Sequence, residues 1–204
     1  MKLLRVTCCL LVLLLSLVAF AFSTSAHAAA SGSTTVFRFH GQSAFADFDS
    51  FSPDGCIETF VEVDGTQSDR SPEADVFIGQ FDNCANTQLL AASGSTGSPT
   101  FQIDNKLLSA SLSATISVFD FVSNTMFDVS VSVAWTSTSA IGHEIQTFHF
   151  HTKGFTENGH FNADFRDANA SGTVSDETTN FTPSPSVFAQ TMSAKEVDVF
   201  ISHP

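Results

Sequence analysis

Apolar and polar residues alternate along most of this chain with a period of two. The clearest run places Leu108, Ala110, Leu112, Ala114, Ile116 and Val118 on one side of the backbone, with Ser109, Ser111, Ser113, Thr115 and Ser117 on the other. Successive side chains point to opposite faces only in an extended strand, so this run predicts a strand with one apolar face. A second run sets Phe127, Val129, Val131, Val133 and Trp135 against Asp128, Ser130, Ser132 and Ala134. Ser123-Asn124-Thr125 lies between them as turn material, which predicts an antiparallel pair.

Weaker strands are expected at Val36–His40, Ala44–Phe48, Ile57–Val63, Val76–Phe81, Gln88–Ala92, Ile145–His151, His160–Arg166 and Val187–Ile201. Turn clusters separate them: Ser52-Pro53-Asp54-Gly55, Asp64-Gly65-Thr66, the stretch from Ser93 to Pro99, and Thr182-Pro183-Ser184-Pro185. Past residue 28 no stretch carries a 3.6-residue period. About ten strands at this spacing predict an all-β domain, a single antiparallel β-sandwich, with a β-barrel as the alternative.

The N-terminus departs from this pattern. Lys2 and Arg5 precede an apolar run from Leu10 to Phe22, and Ala26-His27-Ala28 closes a small, polar segment. A basic start, an apolar middle and a small-x-small end form a cleavable secretory signal peptide, expected as a helix over 1–28. The apolar run is shorter than the roughly 20 residues a spanning helix needs. The expected organisation is therefore signal peptide 1–28, flexible leader 29–35 and one all-β domain 36–204. The destination is a secreted one, extracellular or periplasmic, with no membrane attachment after cleavage.

Cleavage changes the charge and the cysteine count. The full chain carries 8 basic and 21 acidic residues, a net charge of −13, and loss of Lys2 and Arg5 deepens this to −15. Such a field repels nucleic acid and favours solubility and cation binding. Cys8 and Cys9 leave with the signal, so Cys56 and Cys84 remain as a pair in an oxidising compartment and are expected to form a disulfide. The chain has 22 Phe, one Trp and no Tyr. Phe buries area without a polar tip, so these rings are expected to fill the core, and the lack of Tyr weakens a sugar-binding reading.

The densest local chemistry is Phe148-His149-Phe150-His151 followed, after an expected loop at 152–159, by His160-Phe161-Asn162-Ala163-Asp164-Phe165. Opposing Phe150 to Phe161 would set His151 across from His160 and His149 across from Asn162. Three imidazoles so placed could ligate Zn²⁺ or Cu²⁺, with Glu144 and Asp164 as orienting carboxylates. His-x-His on one strand with a third His on the next looks like the zinc site of the carbonic anhydrases. That resemblance covers these three residues alone and implies no activity. Acidic turns at Asp47–Asp49, Asp54, Asp64–Asp75 and Asp82 suggest a structural Ca²⁺, although none has the twelve-residue EF-hand spacing. There is no Gly-x-Ser-x-Gly elbow and no phosphate-cradling glycine loop. The leading expectation is a non-catalytic extracellular domain that binds an unknown ligand or protein or builds a surface. A His-ligated metal-dependent enzyme and a carrier of a small apolar ligand are the alternatives.

Overall fold

The computed structural model describes residues 34–68, 71–152 and 155–202; the signal peptide and most of the leader lie outside the described residues. The described chain is all β and holds ten strands: β1 (Thr34–Phe51), β2 (Ile57–Ser68), β3 (Pro72–Asp82), β4 (Thr87–Thr96), β5 (Thr100–Ile103), β6 (Ser109–Asp120), β7 (Thr125–Ser137), β8 (Gly142–Thr152), β9 (Phe155–Ser175) and β10 (Phe188–Ser202). They form one antiparallel sheet in the order β10-β1-β2-β3-β4-β6-β7-β9-β8, with β5 on β6. The long β9 pairs with β7 through residues 168–175 and with β10 through residues 156–167, so β10 is hydrogen-bonded to both β1 and β9.

The strongest sequence expectation, an antiparallel pair with one apolar face, is met over most of its length. In the β6–β7 pair, Leu112 faces Val133, Ile116 faces Val129 and Val118 faces Phe127. Ala110, Leu112, Ile116 and Val118 are buried with Val129, Val131, Val133 and Trp135, while the intervening Ser and Thr residues are exposed. Leu108 departs from this: it precedes the strand and is exposed.

Three expected turns are wholly or largely strand instead, and in two of them glycine is the reason. β2 runs on through Asp64-Gly65-Thr66 and β4 through Ser93-Gly94-Ser95-Thr96. A Cβ on Gly65 would stand 2.7 Å from the Phe101 ring, and one on Gly94 would stand 2.3 Å from the Ser117 carbonyl oxygen. These glycines mark close approach between neighbouring parts of the sheet, not chain reversal. The third is the loop expected at 152–159, where β8 ends at Thr152 and β9 begins at Phe155. Strand β5, which carries Phe101, was not among the expected elements. β1 begins at Thr34, within the last residues assigned to the leader.

One buried cluster lines a single face of β1 to β4, β6, β7, the C-terminal half of β9 and the start of β10. It is built from Ala, Val and Ile far more than from Phe. Among the described residues only Phe48, Phe101 and Phe181 are buried, which overturns the expectation that the rings fill the core. Neighbouring strands are under 5 Å apart, so a face rich in Ala and Val packs tightly and leaves large rings to the other face. Trp135, 1% exposed, is the largest core side chain, and its Nε1 donates to the Phe45 carbonyl 2.9 Å away, tying β7 to β1. Cys56 and Cys84 form the expected disulfide with Cα atoms 5.2 Å apart, joining the turn before β2 to the turn after β3. This bond is consistent with an oxidising, secreted location.

Candidate functional site

Two surfaces carry chemistry. The first is the imidazole face of β8 and β9. With residues 153 and 154 alone between the two strands, the register differs from the one expected: Phe150 pairs with Glu157, His151 with Thr156, His149 with Asn158 and Thr147 with His160. The three imidazoles still share one face, but His151 and His160 now stand two rows apart, about 13 Å along the strand at 3.3 Å per residue. Each ring is held by its own cross-strand neighbour. His151 Nδ1 meets Thr156 Oγ1 at 2.8 Å, His160 Nδ1 meets Thr147 Oγ1 at 3.3 Å, and His149 meets the Asn158 side chain. Among the described residues no group of three or more His, Cys, Asp or Glu comes together to hold a metal.

Of the two carboxylates expected beside these rings, Asp164 shares their face, four residues along β9 from His160, and Glu144 does not. Glu144 is registered with Ala163, on the opposite face of the sheet. Asp164 accepts from Lys195 Nζ at 3.1 Å and contacts His143 Nδ1 at 2.7 Å. Those bonds, Lys195 first and His143 second, hold its carboxyl below the usual range. His143 had no place in the expected group, yet it stands directly across from Asp164 and contacts its carboxylate.

The second surface was missed by sequence reading. On β1, β2 and β3 the face opposite the core alternates carboxylates with rings. Asp47 lies directly across from Glu62 and Asp64 directly across from Asp75; beside them Phe45 faces Asp64, Glu62 faces Phe77 and Asp49 faces Phe60. Opposed residues on one face are about 5 Å apart at Cβ, and like charges there repel. Strands β2 and β3 contain no Lys, Arg or His, and the only ones on β1, Arg38 and His40, lie toward its N-terminal end. Oδ1 of Asp47, of Asp49 and of Asp64 is buried without a hydrogen-bond partner.

This arrangement disfavours ionisation. Burial, then repulsion by Glu62, pushes both Asp47 and Asp64 up to about 7. Burial, then Asp64 and Glu73, pushes Asp75 up to about 7. Burial raises Glu62 as well, and burial with Glu58 raises Asp49 against a lowering bond from the Ser50 backbone. The turn aspartate Asp54 behaves in the opposite way. Asp54 accepts from Ser52 Oγ at 2.6 Å and from the Cys56 N–H at 3.1 Å and is lowered by those bonds; Asp82 accepts the Cys84 and Ala85 N–H groups. Asp47, Asp49, Asp64 and Asp75 lie within strands, and Asp54 and Asp82 accept hydrogen bonds within their own turns.

An open groove of about 280 Å³ lies at the disulfide end of this face, lined by Glu58, Phe60, Phe77, Gly79, Gln80, Phe81 and Gln88. The Phe60 and Phe77 rings are tilted by 55° with centroids 6.4 Å apart. Asn83 Nδ2 donates to Glu58 Oε2 at 3.2 Å. The signal that could have revealed this surface was the alternation Glu58-x-Phe60-x-Glu62-x-Asp64, which is hidden once Gly65 is read as a turn. Comparison with known family models, curated proteins and solved structures finds no match.

Proposed function

We propose that this protein is an exported, non-catalytic β domain that binds a positively charged extracellular partner through the carboxylate and phenyl face of β1, β2 and β3. The observation that carries this reading is the set of opposed, partly buried carboxylates at Asp47, Glu62, Asp64 and Asp75, where β2 and β3 themselves contribute no Lys, Arg or His. A bound cation would relieve the repulsion that raises them. Export is supported by the signal pattern and by the disulfide. The double pairing of β10 supports a closed barrel over a sandwich, because a strand paired on both sides leaves no edge there. A net charge of −15 disfavours nucleic acid as a partner.

The test is titration with a lysine-rich peptide at pH 8. The expected result is salt-sensitive binding by the wild-type protein that weakens at least tenfold in Glu62→Gln/Asp64→Asn/Asp75→Asn. Binding that is unchanged in that variant, or absent at low salt, overturns the reading. The metal-dependent alternative at His149, His151 and His160 loses support from the separation of His151 and His160. A zinc or copper content found by elemental analysis, removed by His151→Ala, would restore it. The apolar-carrier alternative needs a cavity on the inner face, where Ala, Val and Ile pack as one cluster.

A further inference from the structure

We infer that the groove at the disulfide end of β2 and β3 is a subsite for an organic cation with an apolar body, of the alkylammonium or guanidinium class. This inference rests on the reading of the β1–β3 face as a contact surface and specifies what that surface recognises. Three observations converge. Phe60, Phe77 and Phe81 give the groove aromatic walls, and a cation within about 6 Å of a ring centroid is attracted to its face. Glu58 supplies a carboxylate at the rim, and Asp49, across from Phe60, adds a second acidic group near enough to Glu58 for the two to repel. Gly79 has no side chain, which leaves the space beside Phe77 open; a Cβ there would stand 3.3 Å from Phe77 Cε1.

The groove is also held in shape before any ligand arrives. The Cys56–Cys84 bond fixes the turns at its end, and the Asn83 backbone N–H donates to the Cys56 carbonyl at 2.8 Å. Asn83 in turn anchors Glu58 through its side chain. Gln88 commits its Nε2 to the Gln80 carbonyl, which leaves its Oε1 as an acceptor for a donor cation. Neither a neutral alcohol nor an anion matches this combination of rings and carboxylates. A lysine or arginine side chain of a partner protein and a free amine share the chemistry.

The experiment is an amide NMR titration of the mature, oxidised protein with n-butylammonium, n-butanol and a trilysine peptide. The expected result is saturable shifts at Gly79, Gln80 and Gln88 with butylammonium and none with butanol. Affinity should fall at least fivefold in Glu58→Gln and in Gly79→Ala, each checked for an unchanged fold by its spectrum. Tighter binding of trilysine than of butylammonium at the same amides would assign the site to a protein side chain, and equal affinity to a free amine. Equal shifts with butanol, or unchanged affinity in Glu58→Gln, overturn the inference. Should trilysine shift Asp64 and Asp75 while Gly79 stays still, the groove is excluded and the wider face stands; no shift from any probe removes both.

Discussion

The β6–β7 pair and the β1–β2–β3 triplet share one buried cluster on their inner sides and differ almost entirely on their outer sides. On β6 and β7 the outer residues are mostly Ser and Thr, these all exposed, with Asp128 as the one carboxylate, accepting from Ser117. On β1 to β3 the outer residues are carboxylates and rings, half-buried against each other, with sealed oxygens that find no donor. The β6–β7 pair demonstrates that this sheet can be built with hydroxyls. Stability alone therefore does not account for the acidic face, since each carboxylate displaced upward subtracts from stability at neutral pH. The two regions thus share a core and differ in the electrostatics of their outer faces.

The sharpest way to break the comparison is to remove what the two regions share. Trp135→Ala empties the largest core position and leaves the Phe45 carbonyl without its donor, and is expected to cost about 3 to 5 kcal/mol. Denaturant unfolding followed by far-UV circular dichroism measures it, since the only Trp is lost. A cost under 1 kcal/mol would mean that β7 and β1 do not depend on one core. Next in size, Cys56→Ser/Cys84→Ser opens a 28-residue loop confined to the β1–β3 region. The chain-entropy model gives a loss of about 3 to 4 kcal/mol. Proteolysis at the turns of β1 to β3 should rise while β6–β7 stays protected.

The pH dependence separates the regions further. Asp47, Asp64 and Asp75 have folded values near 7, above their ordinary 3.8. Their contribution is fully present below about pH 4 and is lost as the pH rises through 7, because the unfolded chain releases its protons first. The turn aspartates Asp54 and Asp176, lowered by hydrogen bonds from Ser52 and from the Thr178 backbone, work in the other direction below pH 4. Stability should accordingly be highest near pH 4 to 5. Asp64→Asn/Asp75→Asn should stabilise by about 1 to 2 kcal/mol at pH 8, after allowance for solvent screening, and by nearly nothing at pH 4. A pH-independent gain would trace the effect to packing and not to charge.

The same contrast explains what the sequence made legible. β6 and β7 alternate without interruption, so their antiparallel pairing and buried face could be read directly, and their limits to within about two residues. β2, β4 and β9 contain Gly65, Gly94 and Gly159, and local pattern does not distinguish a glycine that turns the chain from one that admits a neighbour. Gly65 is explained by Phe101, 36 positions away in sequence, and Gly94 by the Ser117 carbonyl; both are facts of tertiary packing. The disulfide followed from parity and compartment. The imidazole face was recognised as a face, but its register turned on whether the reversal after β8 took two residues or eight, and each added residue shifts every cross-strand partner.

The finest test transplants the acidic pair onto the scaffold. Ser113 and Ser132 lie directly opposite each other on β6 and β7, both exposed. Ser113→Asp/Ser132→Asp recreates the Asp64–Asp75 geometry where water reaches both groups. Without burial only cross-strand repulsion remains, so the cost should be about 0.5 kcal/mol at low salt and should vanish by 0.5 M salt. It should also bring no upward displacement toward 7, which carboxyl NMR titration reads directly. If the transplanted pair titrates as high as Asp64 and Asp75 do, proximity of two carboxylates suffices to raise them. If it titrates normally, the desolvation supplied by Phe45, Phe60 and Phe77 is the cause, and the rings on β1 to β3 belong to the site as fully as the carboxylates they cover.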